Sequence, residues 1–392
     1  MLFLDGSTSN FYGVGRSSSD TLTTGGAVEK ITTSTGSFTT VVTDTWTATT
    51  TTAAPSIRNK HSAVWTGSNL IVWGGGKGRT QYNSGRMYNP ITDSWSITTT
   101  SGAPSEREDH TSIWTGSKMI VFGGDDGSTM NTGGQFDPAA NSWTTITTTN
   151  APSKRYLHKS IWTGSKMIVF GGTSNGGTTG SLNSGAIYDP SANSWTTLSL
   201  TNAPSRRFYH SSVWTGSKML VFGGVTSGLF GSAVNTGASF DPSTNTWTTL
   251  STTGAPSSRY YHTAVWTGLK MVTFGGISTS GSGSYFNTGG IYDPLTNTWT
   301  TTSTTGAPRY RGYHTTAWTG SQMLIFAGYD GRNYLNTGGA FDPVANSWLT
   351  ISTTNAPTRR VYHSGTWIGS RYIVFGGDDG SDTLNTGGSY IP

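Results

Sequence analysis

Short apolar runs alternate with polar, turn-rich stretches along nearly the whole chain. In the cycle beginning at Arg206, "RRFYHSSVWTGSKMLVFGG", two β-prone runs, "HSSVWT" and "KMLVF", flank a Thr-Gly-Ser turn. Two further runs, "NTGASF" and "TWTTL", flank an Asp-Pro turn. Short β-branched segments bounded by turn residues predict strands, and no stretch has the periodicity of a helix. Each cycle therefore predicts four antiparallel strands.

The cycle recurs seven times, and tryptophans mark its period. One Trp ends the first apolar run of each cycle, at spacings of 48 to 52 residues: Trp65, Trp114, Trp162, Trp214, Trp266, Trp318 and Trp367. A second Trp follows an Asn-Ser or Asn-Thr-like turn: Trp46, Trp95, Trp143, Trp195, Trp247, Trp299 and Trp348. Seven four-stranded units predict an all-β, seven-bladed β-propeller of four-stranded antiparallel blades.

Three recurring features make these units resemble kelch repeats. Paired glycines follow an apolar strand, as at Gly223-Gly224, an aromatic residue precedes the Asp-Pro turn, as at Phe240, and a Trp follows. Ala327, in place of a first glycine, and Asn89, in place of the Asp, depart from the pattern. The form "WTGSKMIVFGG" resembles bacterial secreted or surface kelch proteins. The resemblance implies a rigid scaffold whose relatives are binding adaptors, scaffolds and occasionally enzymes.

The chain ends predict how the ring closes. The last cycle stops at Pro392 after its third strand, and the segment around Trp46 supplies an unmatched fourth strand. We therefore expect residues 44–392 to form the propeller, with the N-terminal strand completing the last blade and removing two open edges. Residues 1–43 are an N-terminal extension that resembles a degenerate partial repeat. An eight-bladed or open assembly is the alternative.

Composition narrows the classes of function. Only 11% of residues are charged, the formal net charge is +5, and there is no Cys. The basic residues form no run that would indicate a nucleic-acid or membrane patch. Lack of Cys excludes disulfides and thiolate sites, and also the cross-linked copper cofactor of the galactose-oxidase-like kelch branch, so no cofactor or metal is expected. A Thr-, Ser- and Gly-rich chain with few charges predicts an extracellular or cell-surface monomer.

All seven histidines occupy one repeat position, three residues after an Arg: His61, His110, His158, His210, His262, His314 and His363. A catalytic residue is normally needed once, so seven-fold repetition indicates architecture. We expect each His to cap the start of the first strand and to bond a neighbouring blade or loop.

The topology of an antiparallel blade places this R-x-x-H segment on the face that also carries the variable loops between second and third strands. A rigid scaffold with variable loops on one face is typical of a binding surface. The resemblance implies that Arg at this position holds acidic peptide side chains. The predicted ligand-binding residues are Arg155, Arg207, Arg259, Arg311, Arg360, Tyr209, Tyr261, Tyr313 and Tyr362.

The resulting functional hypothesis is a non-catalytic binding module for an acidic peptide or a glycan. One alternative is a carbohydrate-active enzyme (a hydrolase, lyase or sugar isomerase) with Arg, His and Tyr at the channel mouth. Another is a purely structural repeat segment of a larger surface protein. The acidic stretch Glu106, Glu108 and Asp109 indicates either a local site or a solvated loop.

Overall fold

The computed structural model describes residues 44–175, 180–226, 231–279 and 283–392, together with four short strands before residue 44. Seven four-stranded antiparallel sheets follow one another as blades 1 to 7. The inner strands of successive blades lie side by side, and that of blade 7 lies beside that of blade 1, so the ring is closed around a central channel. The predicted all-β seven-bladed propeller is confirmed, and the described residues contain no helix.

Every blade is built from an inner, a second, a third and an outer strand. The inner strands are Ser62–Trp65, Thr111–Trp114, Lys159–Trp162, Ser211–Trp214, Thr263–Trp266, Thr315–Trp318 and Ser364–Trp367. The second strands are Leu70–Trp73, Met119–Phe122, Met167–Phe170, Met219–Phe222, Met271–Phe274, Met323–Tyr329 and Tyr372–Phe375. The third strands are Gly85–Asn89, Gly133–Asp137, Gly185–Asp189, Gly237–Asp241, Gly289–Asp293, Tyr334–Asp342 and Gly387–Ile391. The outer strands are Ser94–Ile97, Ser142–Thr145, Ser194–Thr197, Thr246–Thr249, Thr298–Thr301, Ser347–Thr350 and Thr45–Ala48. Gly76–Lys77 and Thr80–Gln81 form an additional small hairpin in blade 1.

The hydrophobic core lies between the blades. Second strands such as Met219–Phe222 are buried along their whole length, because a neighbouring blade covers each face. Ile168 and Phe170 of blade 3, for example, pack against Val221 and Trp247 of blade 4. The apolar runs in the sequence are therefore inter-blade contacts, repeated around the ring.

A polar clamp also joins neighbouring blades. The N–H of Ser199 donates to Oδ1 of Asn245, and its carbonyl accepts from Nε1 of Trp247, both at 2.9 Å. We call this arrangement the Asn-Trp clamp, and it recurs at every blade junction, with Asp93 and Asp44 in place of the Asn at two of them. The clamped residues are Thr50, Thr99, Thr147, Ser199, Ser251, Ser303 and Ser352.

The N-terminal strand closes the ring as predicted. Thr45–Ala48 pairs antiparallel with Gly387–Ile391. Its residues complete the last clamp, since Asp44 Oδ1 accepts from the Ser352 N–H at 2.6 Å and Trp46 Nε1 donates to the Ser352 carbonyl at 2.9 Å.

Four short strands precede this closing strand and pair in chain order in a sheet of their own: Phe3–Leu4, Phe11–Tyr12, Val28–Ile31 and Phe38–Val41. That residues 1–43 are a degenerate partial repeat stays a prediction.

Blade 6 departs from the repeat at the position where Ala327 replaces the first glycine. In blade 4, Gly223 has a φ of 67°, and a Cβ there would lie 2.5 Å from Cε1 of His262. Ala327 keeps the left-handed φ, at 62°. The Phe326–His363 ring centroids are 6.3 Å apart, against 5.7 Å for Phe222–His262, so the imidazole stands farther away where a methyl group is present. The second strand also continues to Tyr329, with a register shift between Phe326 and Gly328.

Replacing Trp46 by Phe is expected to lower the free energy of unfolding by about 1 kcal/mol, because the Ser352 carbonyl loses its buried donor. Urea unfolding followed by circular dichroism measures the change. Trp247→Phe, which breaks the equivalent clamp within continuous chain, is the matched control and should give a similar loss. A Trp46→Phe protein as stable as wild type would contradict closure by this strand.

Candidate functional site

The seven arginines of the R-x-x-H segments are buried, with at most 1% of their surface exposed. In blade 4, Nε of Arg207 donates to the Ser205 carbonyl, and Nη1 donates to the carbonyls of Gly223 and Thr236, at 2.8 to 2.9 Å. Nη2 donates to the hydroxyls of Ser205 and Thr236 at 3.0 Å. All five N–H donors of the guanidinium are therefore used within its own blade.

The same anchoring occurs in all seven blades. Each Arg donates Nη1 to the carbonyl of the residue that opens the glycine pair, at 2.8 or 2.9 Å. Burial lowers the pKa of these groups, to about 9 for Arg155 and about 10 for Arg207, so they remain charged at neutral pH. Within the described residues, none of the seven has a carboxylate at ion-pair distance.

This placement corrects the expectation that the arginines line a binding surface. Arg155, Arg207, Arg259, Arg311 and Arg360 each have an exposed fraction of 0% and hold loop carbonyls instead. The physical reason is the left-handed turn of the glycine pair, which leaves carbonyl groups inside the blade that only a long, multi-donor side chain can satisfy.

The histidines have the structural role that their repetition predicts. Nε2 of His262 forms a 2.9 Å hydrogen bond with the Ser211 hydroxyl of the preceding blade. Six such pairs occur: His61–Ser364, His110–Ser62, His158–Thr111, His262–Ser211, His314–Thr263 and His363–Thr315. Burial, followed by the charge of the neighbouring arginine, lowers the pKa of His61 and of His110 to about 3. The imidazoles are therefore neutral at physiological pH.

The residue before each His lines the mouth of the central channel. We call these seven residues the collar: Lys60, Asp109, Leu157, Tyr209, Tyr261, Tyr313 and Tyr362. They surround a cavity of about 270 Å³ that also reaches the seven histidines. The predicted tyrosines are thus brought together at one place, half-buried, while the predicted arginines are not with them.

All seven collar residues have left-handed backbone, with φ between 52° and 59°. Elsewhere in the repeat this conformation is held mostly by residues that tolerate it, such as Asn245 and Gly223. A bulky residue at positive φ destabilises the fold by about 1–3 kcal/mol. Six of the seven, all except Asp109, are larger residues that do not favour this conformation, which indicates that the collar side chains themselves matter.

Aromatic contacts and one ion-pair cluster organise the collar. The rings of Tyr209 and Tyr261 are 3.9 Å apart between centroids, and those of Tyr261 and Tyr313 are 3.8 Å apart. On the other side, Lys60 Nζ lies 2.7 Å from Glu108 Oε1 and 3.4 Å from Asp109 Oδ2.

Burial shifts the pKa values of the collar. It raises the pKa of Asp109 to about 6, against the charge of Lys60, and it raises the pKa of the Tyr261 phenol well above 10. The phenols are therefore neutral hydrogen-bond donors. The acidic stretch noted in the sequence forms part of this mouth, through Glu108 and Asp109.

Three exposed cations lie three residues before collar residues in the chain. Lys154, Arg206 and Arg359 each directly precede a buried arginine and are exposed, and none has a carboxylate at ion-pair distance within the described ranges. The backbone of Phe208, in the segment that leads into the inner strand, pairs with that of Val225, in the variable loop of the same blade. This pairing confirms that the two segments share one face of the propeller. Parts of the predicted variable loops (176–179, 227–230 and 280–282) lie outside the described residues. The collar, these cations and the loops together form what we call the collar face.

The opposite face carries a groove of about 400 Å³ between blades 4 and 5. Its wall includes Leu269, in place of the Ser of the other Thr-Gly-Ser turns, and Leu295; both are more than two-thirds exposed, at 73% and 91%. Between residues 44 and 392, outside the three loop gaps, no group of three or more His, Cys, Asp or Glu side chains is placed to hold a metal ion. No helix in the described part of the chain is long and apolar enough to cross a membrane.

Comparison with known proteins identifies similar chains. The family described as the KLHDC2/KLHL20/DRC7 Kelch-repeats domain matches residues 17–172, 110–307 and 262–388. Kelch domain-containing protein 3 from Bos taurus is 30% identical over 164 residues, and the protein of that name from Homo sapiens is 29% identical over 166 residues. Each alignment covers 40% of this chain and 43% of the relative, so the chain matches less than half the length of these relatives.

Proposed function

This chain belongs to the kelch-repeat family, and from that premise we propose that it is a non-catalytic binding module that holds a protein ligand on its collar face. Kelch propellers are typically protein-interaction modules, and the rigid ring described above suits that role. An extracellular or cell-surface location and a monomeric state are part of this proposal, on the grounds of composition alone.

The collar is the observation that carries the proposal. Its tyrosines are accessible from the channel mouth, and neighbouring tyrosines stack on or meet the edge of one another. Stacked tyrosines supply rigid amphipathic area, which is typical of the centre of a protein-binding surface. Strained backbone at six equivalent positions also points to function, since strain persists where the surrounding structure over-determines it.

The three exposed cations, which we call the rim, favour an acidic ligand. Lys154, Arg206 and Arg359 are exposed, and none has a carboxylate at ion-pair distance in the described chain, so each can bind a carboxylate arriving from outside; Arg359 also interacts at longer range with Asp379. Arginine forks bind carboxylates in a bidentate manner. We therefore propose a peptide segment that combines acidic side chains for the rim with an apolar or aromatic anchor for the collar. A glycan that stacks on the tyrosines is the alternative outcome of the test below.

The chemistry of the channel mouth supports a non-catalytic role. The enzyme alternative relied on Arg, His and Tyr together, but the arginine donors are fully used and the imidazoles hold neighbouring blades. A general base must reach the proton it removes within about 3 Å or through one water. Besides the histidines, the groups that line the mouth include neutral phenols, the Lys60 ion pairs, Leu157 and Lys159.

Replacing both Tyr261 and Tyr313 by Asn is expected to weaken peptide binding at least about tenfold while leaving the ring folded. Asn tolerates the left-handed backbone at these positions, which offsets the lost ring stacking of about 1 kcal/mol per pair. A random peptide library displayed on phage is panned on the immobilised wild-type protein. Dissociation constants of enriched peptides are then measured by fluorescence polarisation.

Leu269→Ser, on the opposite face, is the matched control and should bind the same peptides as wild type. Peptides that bind the double variant equally well would place the binding surface elsewhere. If no peptide is enriched but a glycan array gives collar-dependent binding, the ligand is a glycan. If neither a peptide nor a glycan binds, the result favours the purely structural alternative.

A further inference from the structure

We infer that the central channel contains an anion-binding site at Lys159, which takes a small carboxylate. Lys159 is the first residue of the inner strand of blade 3 and lines the same cavity as the collar. This site does not depend on protein binding at the collar face, and its test below is separate.

Lys159 interrupts a ring of hydroxyl groups. The residue that follows each His is a Ser or Thr in six blades: Ser62, Thr111, Ser211, Thr263, Thr315 and Ser364. Each of these hydroxyls bonds the imidazole of the following blade, and Lys159 is the seventh member of the set. His210, which faces Lys159, is therefore left with both ring nitrogens buried and without a hydrogen-bond partner. The exposed fraction of His210 is only 1%. A buried polar group without a partner destabilises the fold unless a ligand binds it.

The ammonium of Lys159 is the unneutralised charge in the cavity. Of the two lysines that line it, Lys60 is paired with Glu108 and Asp109, whereas Lys159 has no carboxylate at ion-pair distance among the described residues. Its charge interacts with His158, His210, His262 and Asp109. The Lys159 side chain is exposed to the cavity, and desolvation by the surrounding ring lowers the pKa of its ammonium against the charge of Asp109.

The surrounding blades make the cavity electropositive. Seven buried guanidinium groups encircle it without carboxylate partners in the described chain, and their charge is one cause of the low histidine pKa values. Charges surrounded by low-dielectric protein focus their field into the aqueous channel. The phenols of the collar add neutral donors at its mouth. A small anion beside Lys159 would gain a charge-assisted hydrogen bond there and, with His210 Nε2 protonated, a second donor.

Two sources can supply the carboxylate. One is a free small anion, and the other is an acidic side chain of a bound ligand that reaches past the collar. Formate tests the first source and N-acetyl-aspartate amide tests the second. The chemistry at Lys159 is the same for both.

Isothermal titration of formate into the full chain, in chloride-free HEPES buffer at neutral pH, is the experiment. Wild type is expected to bind one formate per chain with a dissociation constant in the millimolar range. Lys159→Met, which removes the charge and is one atom shorter, is expected to bind at least about tenfold more weakly.

Lys159→Ser is the second variant, and it separates loss of the site from loss of folding. It restores the hydroxyl present in the other six blades, so His210 regains a partner. The melting temperature is therefore expected to rise, by about 1–3 °C for one buried hydrogen bond, while formate binding disappears.

If formate binds and N-acetyl-aspartate amide does not, the natural ligand is a free ion. If N-acetyl-aspartate amide binds and formate displaces it, the natural ligand is an acidic side chain. Both outcomes support the site. Equal affinity of either probe for wild type and Lys159→Met would overturn it. Absence of binding by both probes to wild type would also overturn it, and would leave the peptide experiment on the collar unaffected.

Discussion

Acidification from about pH 7.5 to about pH 5 is expected to unfold the propeller, because seven buried neutral histidines bind protons only when the chain unfolds. The imidazole pKa is about 3 in the folded protein at His61, His110 and His314, and well below 6.5 at the other four. The unfolded value is about 6.5. Between these values the unfolded chain binds more protons, so stability falls as the pH falls below about 6.5.

The expected effect is large because it is repeated. Each histidine lowers the free energy of unfolding by about 1.4 kcal/mol per pH unit below 6.5, which is roughly 2 kcal/mol at pH 5. Seven histidines together lower it by roughly 14 kcal/mol, comparable with the whole stability of a typical protein. Asp109 acts in the opposite direction, since burial raises its pKa to about 6, but it offsets only one histidine. Carboxylates with lowered pKa, such as Asp241, add to the loss only at still lower pH.

Urea unfolding at a series of pH values measures this linkage. The slope of unfolding free energy against pH is expected to approach about six protons near pH 5, seven from the histidines less one from Asp109. In His262→Gln, whose amide can still bond the Ser211 hydroxyl, the slope should fall by one proton. A free energy of unfolding that stays constant between pH 7.5 and 5 would contradict the buried, neutral state of the histidines.

Replacing both Arg207 and Arg259 by Ala is expected to unfold the protein at room temperature rather than merely abolish ligand binding. Each change leaves two carbonyls without a donor, those of Ser205 and Gly223 in the first case, while the Thr236 carbonyl keeps only the N–H of Gly223. A buried unsatisfied group destabilises by about 1–3 kcal/mol, so the four groups in two blades together lose roughly 4–12 kcal/mol. Arg207→Lys should also destabilise, since one ammonium cannot replace the forked geometry of five donors.

Melting temperature by differential scanning fluorimetry is the measurement. Arg206→Ala, one residue away and exposed, is the matched control: it should melt with wild type and weaken only the binding of acidic peptides. A double variant that melts within a degree or two of wild type would remove the structural role assigned to these arginines.

The arginines also show where sequence reasoning stops. Repetition alone predicted the ring, its closing strand and the structural role of the histidines, because each follows from spacing and turn chemistry. Arginine is almost never fully buried, so a seven-fold Arg on the loop face indicated a surface. The sequence does not show which backbone carbonyls a turn leaves inside the blade. The carbonyl that the Gly223 turn leaves there is what binds Arg207 and buries it.

The sequence located the four tyrosines of the collar but not their backbone conformation, and it did not single out the channel lysine; the reasons differ. Positive φ at Tyr261 is invisible in a sequence that has no glycine or asparagine there. Lys159, by contrast, is visible when the seven repeats are placed under one another, as the single residue after a His that lacks a hydroxyl. In a repeat protein, the position that breaks the pattern deserves the same scrutiny as the positions that keep it.

The Asn-Trp clamp has a consequence for how such a ring can be encoded. The junction that Asp44 and Trp46 make with Ser352 has the same hydrogen bonds as the six junctions within continuous chain. Covalent linkage therefore contributes nothing specific to the geometry of any junction. The ring has no privileged first blade, and a circularly permuted gene that opened the chain at another outer strand would encode the same seven interfaces.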